Sequence, residues 1–343
     1  MNTRSIALLS TLLLAAPGVG SAQETITVAA FGGQYQKQTG DAWFRPAAQK
    51  LGLRLSMDIV GTAADVRAHV QGGKTNWDVV LLAGSSCATV AREKLVQPLD
   101  YSVIDAAGIP AHMVTERTVG VLQYSTVLAW NKEQLKGKEP KSWADFWDVK
   151  AFPGPRGFDA RATFSLEIAT MADGVPPAQV YPIDVDRAFR KIAELRPHIA
   201  TYYANGAVAV QLLKDGEVDM LPLFENRVHE LIRDGFPLAF TLNQAIVDIN
   251  CLVVPNGTPK RDLAMRMIAE IVKPEMNARI AQTSDMSPTN ARIFELGLIP
   301  AERAQKLSSL PANMTNQLVL DANWWTPVLS ELNQRYKALI SAR

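Results

Sequence analysis

Four charged residues in this sequence could hold a small charged solute: Arg161, Glu225, Arg227 and Asp248. An arginine guanidinium binds a carboxylate or a phosphonate through two parallel hydrogen bonds, and a buried carboxylate requires a cation such as an ammonium group beside it. A zwitterion such as an ω-amino acid would satisfy both kinds of charge. For each arginine, the alternative is an ordinary ion pair with an acidic residue close by in the sequence.

Catalysis is the main alternative to binding, and the sequence offers few groups for it. The histidines, at positions 69, 112, 198 and 229, show no HExxH spacing, and the chain has no CxxC pair, no G-x-S-x-G sequence and no Walker glycine loop. We therefore predict that the protein is not an enzyme and binds no cofactor and no metal. A secreted enzyme, or a sensing module that signals to a chemoreceptor or a histidine kinase, remains the alternative on sequence alone.

The composition indicates a globular protein that does not bind polyanions. Of the 343 residues, 48% are hydrophobic and 20% are charged, and 35 basic residues against 34 acidic ones leave a net charge of +1. This balance gives no electrostatic reason to bind nucleic acid or an anionic membrane surface. The length predicts two domains, and we expect a monomer with no nucleic acid partner.

The first 22 residues have the features of a secretory signal peptide. Arg4 precedes an apolar run over 6–16, and the small residues Gly20, Ser21 and Ala22 suit cleavage after Ala22. The apolar run is too short to cross a bilayer. The mature protein is therefore predicted to be periplasmic, with no insertion into the membrane.

Two cysteines, Cys87 and Cys251, lie far apart in the sequence. An oxidising compartment permits a disulfide between them, whereas free cysteines are commonly buried as small hydrophobic residues. The sequence leaves both alternatives open.

Strands and helices alternate along the chain in two blocks. In the first block, a β-rich run at 26–30 ends at Phe31-Gly32-Gly33 before a helical stretch, and "WDVVLLAG" at 77–84 is typical of a buried parallel strand. Two β-rich segments, 119–131 and 246–255, bracket the second block, which indicates an α/β protein with an inserted lobe. The predicted organisation is lobe 1 over 23–128, lobe 2 over 129–249, and a return to lobe 1 over 250–343 that includes the C-terminal helices.

An aromatic-rich segment, "SWADFWDVKAFPGPRGF" at 142–158, predicts a short helix that packs on the second lobe. Ser142 and Asp145 have capping-box spacing, and Trp143, Phe146 and Trp147 share one helical face. A helix of one or two turns is not stable alone, so we expect its aromatic face to be buried.

Several segments resemble those of bacterial extracellular solute-binding proteins of the spermidine/putrescine type, the soluble receptors of ABC importers. They include "AAFGGQYQ", "SWADFWDVKAFPGPRGF", "QLLKDGEVDM", "CLVVPNGTPKRDLAMRMIAEIVKPE", "SPTN" and "NWWTPV", in order along nearly the whole mature chain. The resemblance implies a type II periplasmic-binding fold, in which two α/β lobes joined by two crossing strands close around a ligand. It also implies an inner-membrane ABC permease as the partner and a small charged organic solute, a polyamine-like amine or an amino-carboxylate, as the ligand.

Ligands of such lobes bind beyond the strand ends, where loops and helix N-termini point inward. Three departures from the polyamine receptors favour a small amine-bearing or carboxylate-bearing solute over a long polyamine: Asn250 stands where an acid is common, Phe224-Glu225-Asn226 replaces a WNG motif, and Arg161 lies at a helix start. The predicted ligand-binding residues are Phe31, Gly32, Gly33, Ser85, Ser86, Tyr124, Arg161, Thr163, Tyr203, Phe224, Glu225, Arg227, Asp248 and Asn250.

Overall fold

The computed structural model describes residues 23–73 and 75–342 of the chain. The predicted signal peptide, residues 1–22, lies outside the described residues. Within them, ten strands form one mixed sheet: β1 (Thr25–Ala30), β2 (Arg54–Ile59), β3 (Val79–Ala83), β4 (Val119–Asn131), β5 (Arg156–Asp159), β6 (Ile199–Tyr203), β7 (Met220–Phe224), β8 (Leu238–Val253), β9 (Ser287–Pro288) and β10 (Leu318–Val319).

The helices alternate with the strands and vary from one turn to five or more. In the same described part of the chain they are α1 (Gly33–Thr39), α2 (Arg45–Lys50), α3 (Ala63–Gln71), α4 (Gly84–Arg92), α5 (Trp143–Trp147), α6 (Ala162–Ala172), α7 (Val185–Leu195), α8 (Gly206–Lys214), α9 (Glu225–Arg233), α10 (Arg261–Val272), α11 (Pro274–Thr283), α12 (Arg292–Glu295), α13 (Ala301–Ala304) and α14 (Ala322–Ser341).

The sheet consists of two halves with the same strand order, and the halves share their two longest strands. One half has the order β2-β1-β3-β8-β4, and the other has the order β6-β5-β7-β4-β8. The three outer strands of each half pair in parallel with one another. The long strands β4 and β8 pair antiparallel and run through both halves of the sheet. The halves are two α/β lobes, so the prediction of a type II periplasmic-binding fold with two crossing strands is confirmed.

The parallel strands of both lobes end beside the middle of the crossing strands. Ala83 at the end of β3 pairs with Asn250 of β8, and Phe224 at the end of β7 pairs with Thr126 of β4. Helix α4 begins directly after β3, and α9 begins directly after β7. Because Asn250 and Thr126 lie only a few residues apart along the β4–β8 ladder, the N-termini of both helices lie at one region, the cleft between the lobes.

Apolar side chains are buried on both faces of each half of the sheet. In lobe 1, Phe44 belongs to the cluster on one face and Trp77 to the cluster on the other. In lobe 2, the corresponding clusters contain Phe158 and Leu212. Each lobe therefore has a core of its own, as two bodies that move about a hinge require.

Helix α14 packs on the apolar core of lobe 2 and also contacts α4 of lobe 1, whereas the sequence analysis expects the C-terminal helices to pack back mainly on lobe 1. Trp325, Leu332 and Tyr336 belong to the larger apolar cluster of lobe 2, and Trp325 donates a hydrogen bond from its indole Nε1 to Glu167. The chain therefore crosses between the lobes a third time, before β10. The helical spacing of these apolar residues predicts a buried face but does not indicate which lobe the face covers.

The short aromatic helix α5 has the predicted capping box. Asp145 donates from its backbone N–H to Ser142 Oγ at 3.4 Å, and Ser142 donates from its own backbone N–H to the Asp145 carboxylate at 3.1 Å. Trp143 and Phe146 are buried, and Trp147 donates from Nε1 to the backbone oxygen of Lys191 at 2.9 Å. Packing on lobe 2 therefore stabilises this one-turn helix.

The loop after α5 is organised by a buried arginine that the sequence analysis did not single out. Only 1% of the Arg156 surface is exposed, and its guanidinium donates to the backbone oxygens of Phe146 at 2.8 Å, Gly154 at 2.7 Å, Phe152 and Asp148. Burial lowers the pKa of this guanidinium to about 10. One side chain thus supplies the hydrogen bonds that a chain interrupted by two prolines cannot supply from its own backbone.

The two cysteines form a disulfide between α4 and the crossing strand β8. Cys87 and Cys251 have their Cα atoms 6.3 Å apart, and 164 residues separate them in the sequence. The bond fixes the N-terminal part of α4, which borders the cleft, to a strand that passes through both lobes.

Candidate ligand site between the lobes

A cavity of about 280 Å³ lies between the lobes beside the crossing strands. Lobe 1 contributes residues that follow β1, lobe 2 contributes the end of β7 and the first turn of α9, and the middle parts of β4 and β8 lie between them. We call this space the central cavity. The residues that line it are Phe31, Tyr35, Ala83, Leu122, Gln123, Tyr124, Phe224, Glu225, Asn226, Arg227, Asn250, Asp285 and Met286.

Glu225, the first residue of α9, is a buried carboxyl group at the wall of the central cavity. Its Oε1 accepts hydrogen bonds from the hydroxyls of Ser287 at 3.0 Å and Ser308 at 2.7 Å. Its Oε2 is also buried and has no hydrogen-bond partner among the described residues. Burial raises the pKa of Glu225 to about 7, although the two serine hydroxyls favour the ionised form.

Gln123 of β4 adds a second buried acceptor to the same wall. Its Nε2 donates to Ser308 Oγ at 3.2 Å, and its Oε1 is buried without a partner in the part of the chain that the structure describes. Gln123 and Glu225 both line the central cavity. Each of these oxygens can accept a hydrogen bond from a positively charged donor such as an ammonium group.

Arg227 lines the same cavity and carries the opposite charge. Its guanidinium lies 3.3 Å from a carboxylate oxygen of Glu230, and about half of each side chain is exposed to solvent. An exposed ion pair of this kind contributes little stability, roughly 0 to 1 kcal/mol. Arg227 can therefore exchange Glu230 for a ligand carboxylate at small cost.

Arg161 is more firmly engaged within the protein. Its Nε and Nη2 donate to both oxygens of Asp159, at 2.9 and 2.5 Å, and this pairing raises the pKa of the arginine further above its ordinary value. It lies beside Phe224 in a small recess that Tyr203 also lines. The ion pair to Asp159, one of the two alternatives for this residue, is the arrangement present.

Aromatic rings form the apolar part of the cleft. The Tyr124 and Phe224 ring centroids are 5.5 Å apart, and Phe224 is 5.9 Å from Phe164 in a second edge-to-face contact. Phe164, near the start of α6, has a φ of +71°, which is a genuine outlier for a bulky side chain. Its contact with Phe224 and the Arg161 guanidinium 5.7 Å above its ring help to hold this conformation.

Asp248 does not line the central cavity but contacts Tyr124, which does. Tyr124 donates from its hydroxyl to Asp248 Oδ2 at 2.5 Å, and the backbone N–H of Ile249 donates to Oδ1 at 2.7 Å. A Cβ atom on Gly84 would stand 2.3 Å from Oδ1, so a larger residue there would displace the Asp248 carboxylate. Burial raises the pKa of Asp248 to about 6. Asp248 borders a second cavity of about 960 Å³, together with Tyr181 and the start of α14.

The structure brings some of the predicted ligand-binding residues together and leaves others apart. Those that line the central cavity are Phe31, Tyr124, Phe224, Glu225, Arg227 and Asn250, while Arg161 and Tyr203 lie in the adjacent recess and Asp248 borders the larger cavity. Residues that line none of these three spaces are Gly32, Gly33, Ser85, Ser86 and Thr163.

Several residues at the site were missed by the sequence analysis. Tyr35 lies four residues after Phe31, one helical turn away, and this spacing could have indicated it. Its hydroxyl donates to Asn250 Oδ1 at 2.8 Å. Ser287 and Ser308 lie 62 and 83 residues from Glu225, and no local pattern indicates such partners.

Two lobes of like topology, joined by crossing strands and separated by a cavity with unlike charges, define a protein that closes around a small solute. The chain belongs to the bacterial extracellular solute-binding protein family, whose sequence model matches residues 47–308. It is a substrate-binding protein of ABC importers: it binds a small molecule and works with an ABC permease, in the extracellular or periplasmic compartment typical of the family. Among the described helices, none is long and apolar enough to span a membrane.

The relatives of this chain are binding proteins rather than enzymes. A gamma-aminobutyric acid-binding protein of Pseudomonas aeruginosa is 32% identical over 325 residues, which cover 92% of this chain and 90% of that protein. An ABC transporter substrate-binding protein of Bradyrhizobium japonicum is 36% identical with a TM-score of 0.87, over 92% of this chain and 99% of that chain. A solved GABA receptor is 29% identical with a TM-score of 0.83, over 93% of this chain and 98% of that chain.

Proposed function

We propose that the ligand is a small zwitterion, an ω-amino acid such as γ-aminobutyrate, held in the central cavity. The observation that carries this proposal is the pair of unlike charges in one small space: the buried Oε2 of Glu225 and the half-exposed guanidinium of Arg227. The ammonium group of the ligand binds Glu225 and Gln123, and its carboxylate binds Arg227. The two relatives whose names specify γ-aminobutyrate support this choice.

A polyamine fits the same cavity less well. Its second ammonium group would lie beside Arg227, where it would be repelled rather than paired. Polyamine receptors commonly have an acidic residue at the position that Asn250 of β8 occupies here. The Oδ1 atom of Asn250 already accepts a hydrogen bond from the Tyr35 hydroxyl. Asp285, the other acid that lines the cavity, already pairs with Arg233, so the remaining charges of the cavity favour one amine and one carboxylate over two amines.

The proposal also covers how the protein works. Residues 1–22 direct export, the mature protein acts as a monomer, and it performs no chemical reaction on its ligand. Closure of the lobes around the ligand presents a closed surface to the permease, since a bound ligand stabilises the state in which both lobes contact it. The lobe boundaries near residues 128 and 249 fall within the two crossing strands, where a hinge would have to lie.

Calorimetric titration with three ligands of similar length tests the proposed function. We expect γ-aminobutyrate to bind tightly, and putrescine and succinate, which carry two like charges, to bind at least about 100-fold more weakly. Tighter binding of putrescine would restore the polyamine alternative. Tighter binding of succinate would show that Glu225 does not hold a cation.

Arg227→Ala is expected to weaken γ-aminobutyrate binding by about 10- to 100-fold, because a hydrogen bond to a charged group is worth roughly 1.5–3 kcal/mol. The melting temperature should change little, since the side chain is half exposed. Arg190→Ala, a charge removal on the surface of α7, is the matched control and should leave affinity unchanged. Unchanged affinity in Arg227→Ala with a loss in Arg161→Ala would move the carboxylate site to Arg161.

Ligand binding is expected to release protons from Glu225. Its raised pKa of about 7 leaves the carboxyl partly protonated near neutral pH, and a bound ammonium favours the ionised form. Affinity should rise as the pH increases towards 7 and then level off, because the ligand keeps both of its charges over this range. Calorimetry in buffers of different ionisation enthalpy measures the released protons. Absence of proton release at about pH 6.5 would contradict this role for Glu225.

A further inference from the structure

One face of helix α9 contacts lobe 1 through three polar side chains spaced four residues apart. Glu225 accepts hydrogen bonds from Ser287 and Ser308, as described above. One turn later, the ring of His229 lies with Nε2 3.3 Å from the backbone oxygen of Lys306. A further turn on, Arg233 pairs with the carboxylate of Asp285. Residues four apart lie on one face of a helix, so the contact follows the whole length of α9.

The segment on the other side of this contact belongs to lobe 1. Strand β9 pairs with β4 at Leu122 and Gln123, on the lobe 1 side of the hinge. Ile293, Ile299 and Leu307 form an apolar cluster with residues of α11. Helix α9 begins after β7 and packs with the lobe 2 strands, so the three polar contacts join one lobe to the other.

The same contact forms one side of the central cavity. Asp285 and Met286 line the cavity from lobe 1, and the first turn of α9 lines it from lobe 2. His229 and Arg233 do not line the cavity. They therefore contact lobe 1 outside the cavity, and Arg233 reaches the cavity wall only through its partner Asp285.

We propose that this face of α9 is a closing contact whose strength sets the affinity for any ligand of the cleft, with His229 and Arg233 as positioning residues. If the ligand-free protein exchanges between open and closed states, the apparent affinity is the intrinsic affinity multiplied by the closed fraction. Interactions between lobes that need no ligand raise that fraction. The inference rests on ligand-driven closure, and it holds whichever ligand binds.

The charges around Arg233 indicate which variant is most informative. Asp285 lies between Arg233 and Arg303, whose Nη2 is 3.8 Å from a carboxylate oxygen of Asp285. Replacing Arg233 with alanine removes one attraction, whereas Arg233→Glu adds a repulsion between the lobes. Arg190→Glu on the surface of α7 makes the same charge change elsewhere on lobe 2 and serves as the control.

Small-angle X-ray scattering of the ligand-free protein, together with calorimetric titration with γ-aminobutyrate, tests the proposal. We expect Arg233→Glu to enlarge the radius of gyration of the ligand-free protein and to raise Kd about 10-fold. Arg233→Ala should change both quantities in the same direction by a smaller amount. Arg233→Lys and Arg190→Glu should match the unmodified protein in both. The ratio of the Kd values for γ-aminobutyrate and δ-aminovalerate should stay the same in all variants.

An unchanged radius of gyration in both Arg233→Ala and Arg233→Glu, with melting temperatures that show folded protein, would overturn the proposal. A changed ratio of the two Kd values would also overturn it, because Arg233 would then act on the ligand. Failure of γ-aminobutyrate to bind the unmodified protein would count against the proposed ligand only. The scattering comparison would still decide on the closing contact.

Discussion

Glu225→Gln is expected to weaken the binding of γ-aminobutyrate by about 100-fold or more. Loss of one member of a buried, hydrogen-bonded charge pair typically costs roughly 2–5 kcal/mol of binding free energy. Glutamine is nearly isosteric with glutamate, but it carries no charge to pair with the ligand ammonium. Its amide oxygen can still accept from Ser287 and Ser308, so the fold should be retained. Calorimetric titration measures the loss of affinity, and thermal unfolding verifies that the variant is folded.

The control for this variant is Asp234→Asn, which removes an acidic charge just after the end of α9. It should leave affinity unchanged. Glu225→Gln should also abolish the proton release on binding, since the group that titrates is gone. A variant that binds γ-aminobutyrate within about threefold of the unmodified protein would remove Glu225 from the site, and the buried carboxyl would then serve only the contact between the lobes.

Arg156→Leu is expected to cause the largest loss of stability of any substitution discussed here, at least about 3 kcal/mol of unfolding free energy. Each buried backbone oxygen left without a donor costs roughly 1–3 kcal/mol. The guanidinium donates to four backbone oxygens, and only that of Asp148 keeps a second donor, the N–H of Phe152. Leucine fills much of the same space but donates no hydrogen bond. Denaturation in urea measures the change.

Arg156→Lys and Lys150→Leu complete the stability experiment. Lysine keeps the positive charge but cannot reach four oxygens with one ammonium group, so we expect an intermediate loss. Lys150 is exposed in the same loop, and its replacement should change the free energy of unfolding by less than about 0.5 kcal/mol. Equal stability of Arg156→Leu and Lys150→Leu would mean that the loop does not depend on the guanidinium.

The fold was predictable from the sequence because its signals are local and their order is characteristic. The alternation of strands and helices, the capping box at Ser142 and the two long β-rich segments each depend on a few neighbouring residues. The packing of α14 on the core of lobe 2 was not predicted, for a different reason. Its apolar face is clear in the sequence, but the surface that receives it is formed by residues such as Phe158 and Ile168, far away in the chain.

The site was predictable only in outline. Three residues predicted at or just after strand ends, Phe31, Phe224 and Glu225, line the central cavity. Which charges are engaged depends on neighbours that meet only in the folded chain. Asp248 is satisfied by the Tyr124 hydroxyl, whereas Glu225 keeps one carboxylate oxygen without a partner among the described residues. The conformation of Phe164 likewise depends on tertiary contacts and has no signal in its own segment.

The most direct test of the central claim is a crystal structure of the protein with γ-aminobutyrate. We predict the ligand between the two lobes, with its nitrogen at hydrogen-bond distance, about 3 Å, from Oε2 of Glu225 and its carboxylate on the guanidinium of Arg227. A ligand bound in the larger cavity beside Asp248, or with its carboxylate towards Glu225, would contradict the account.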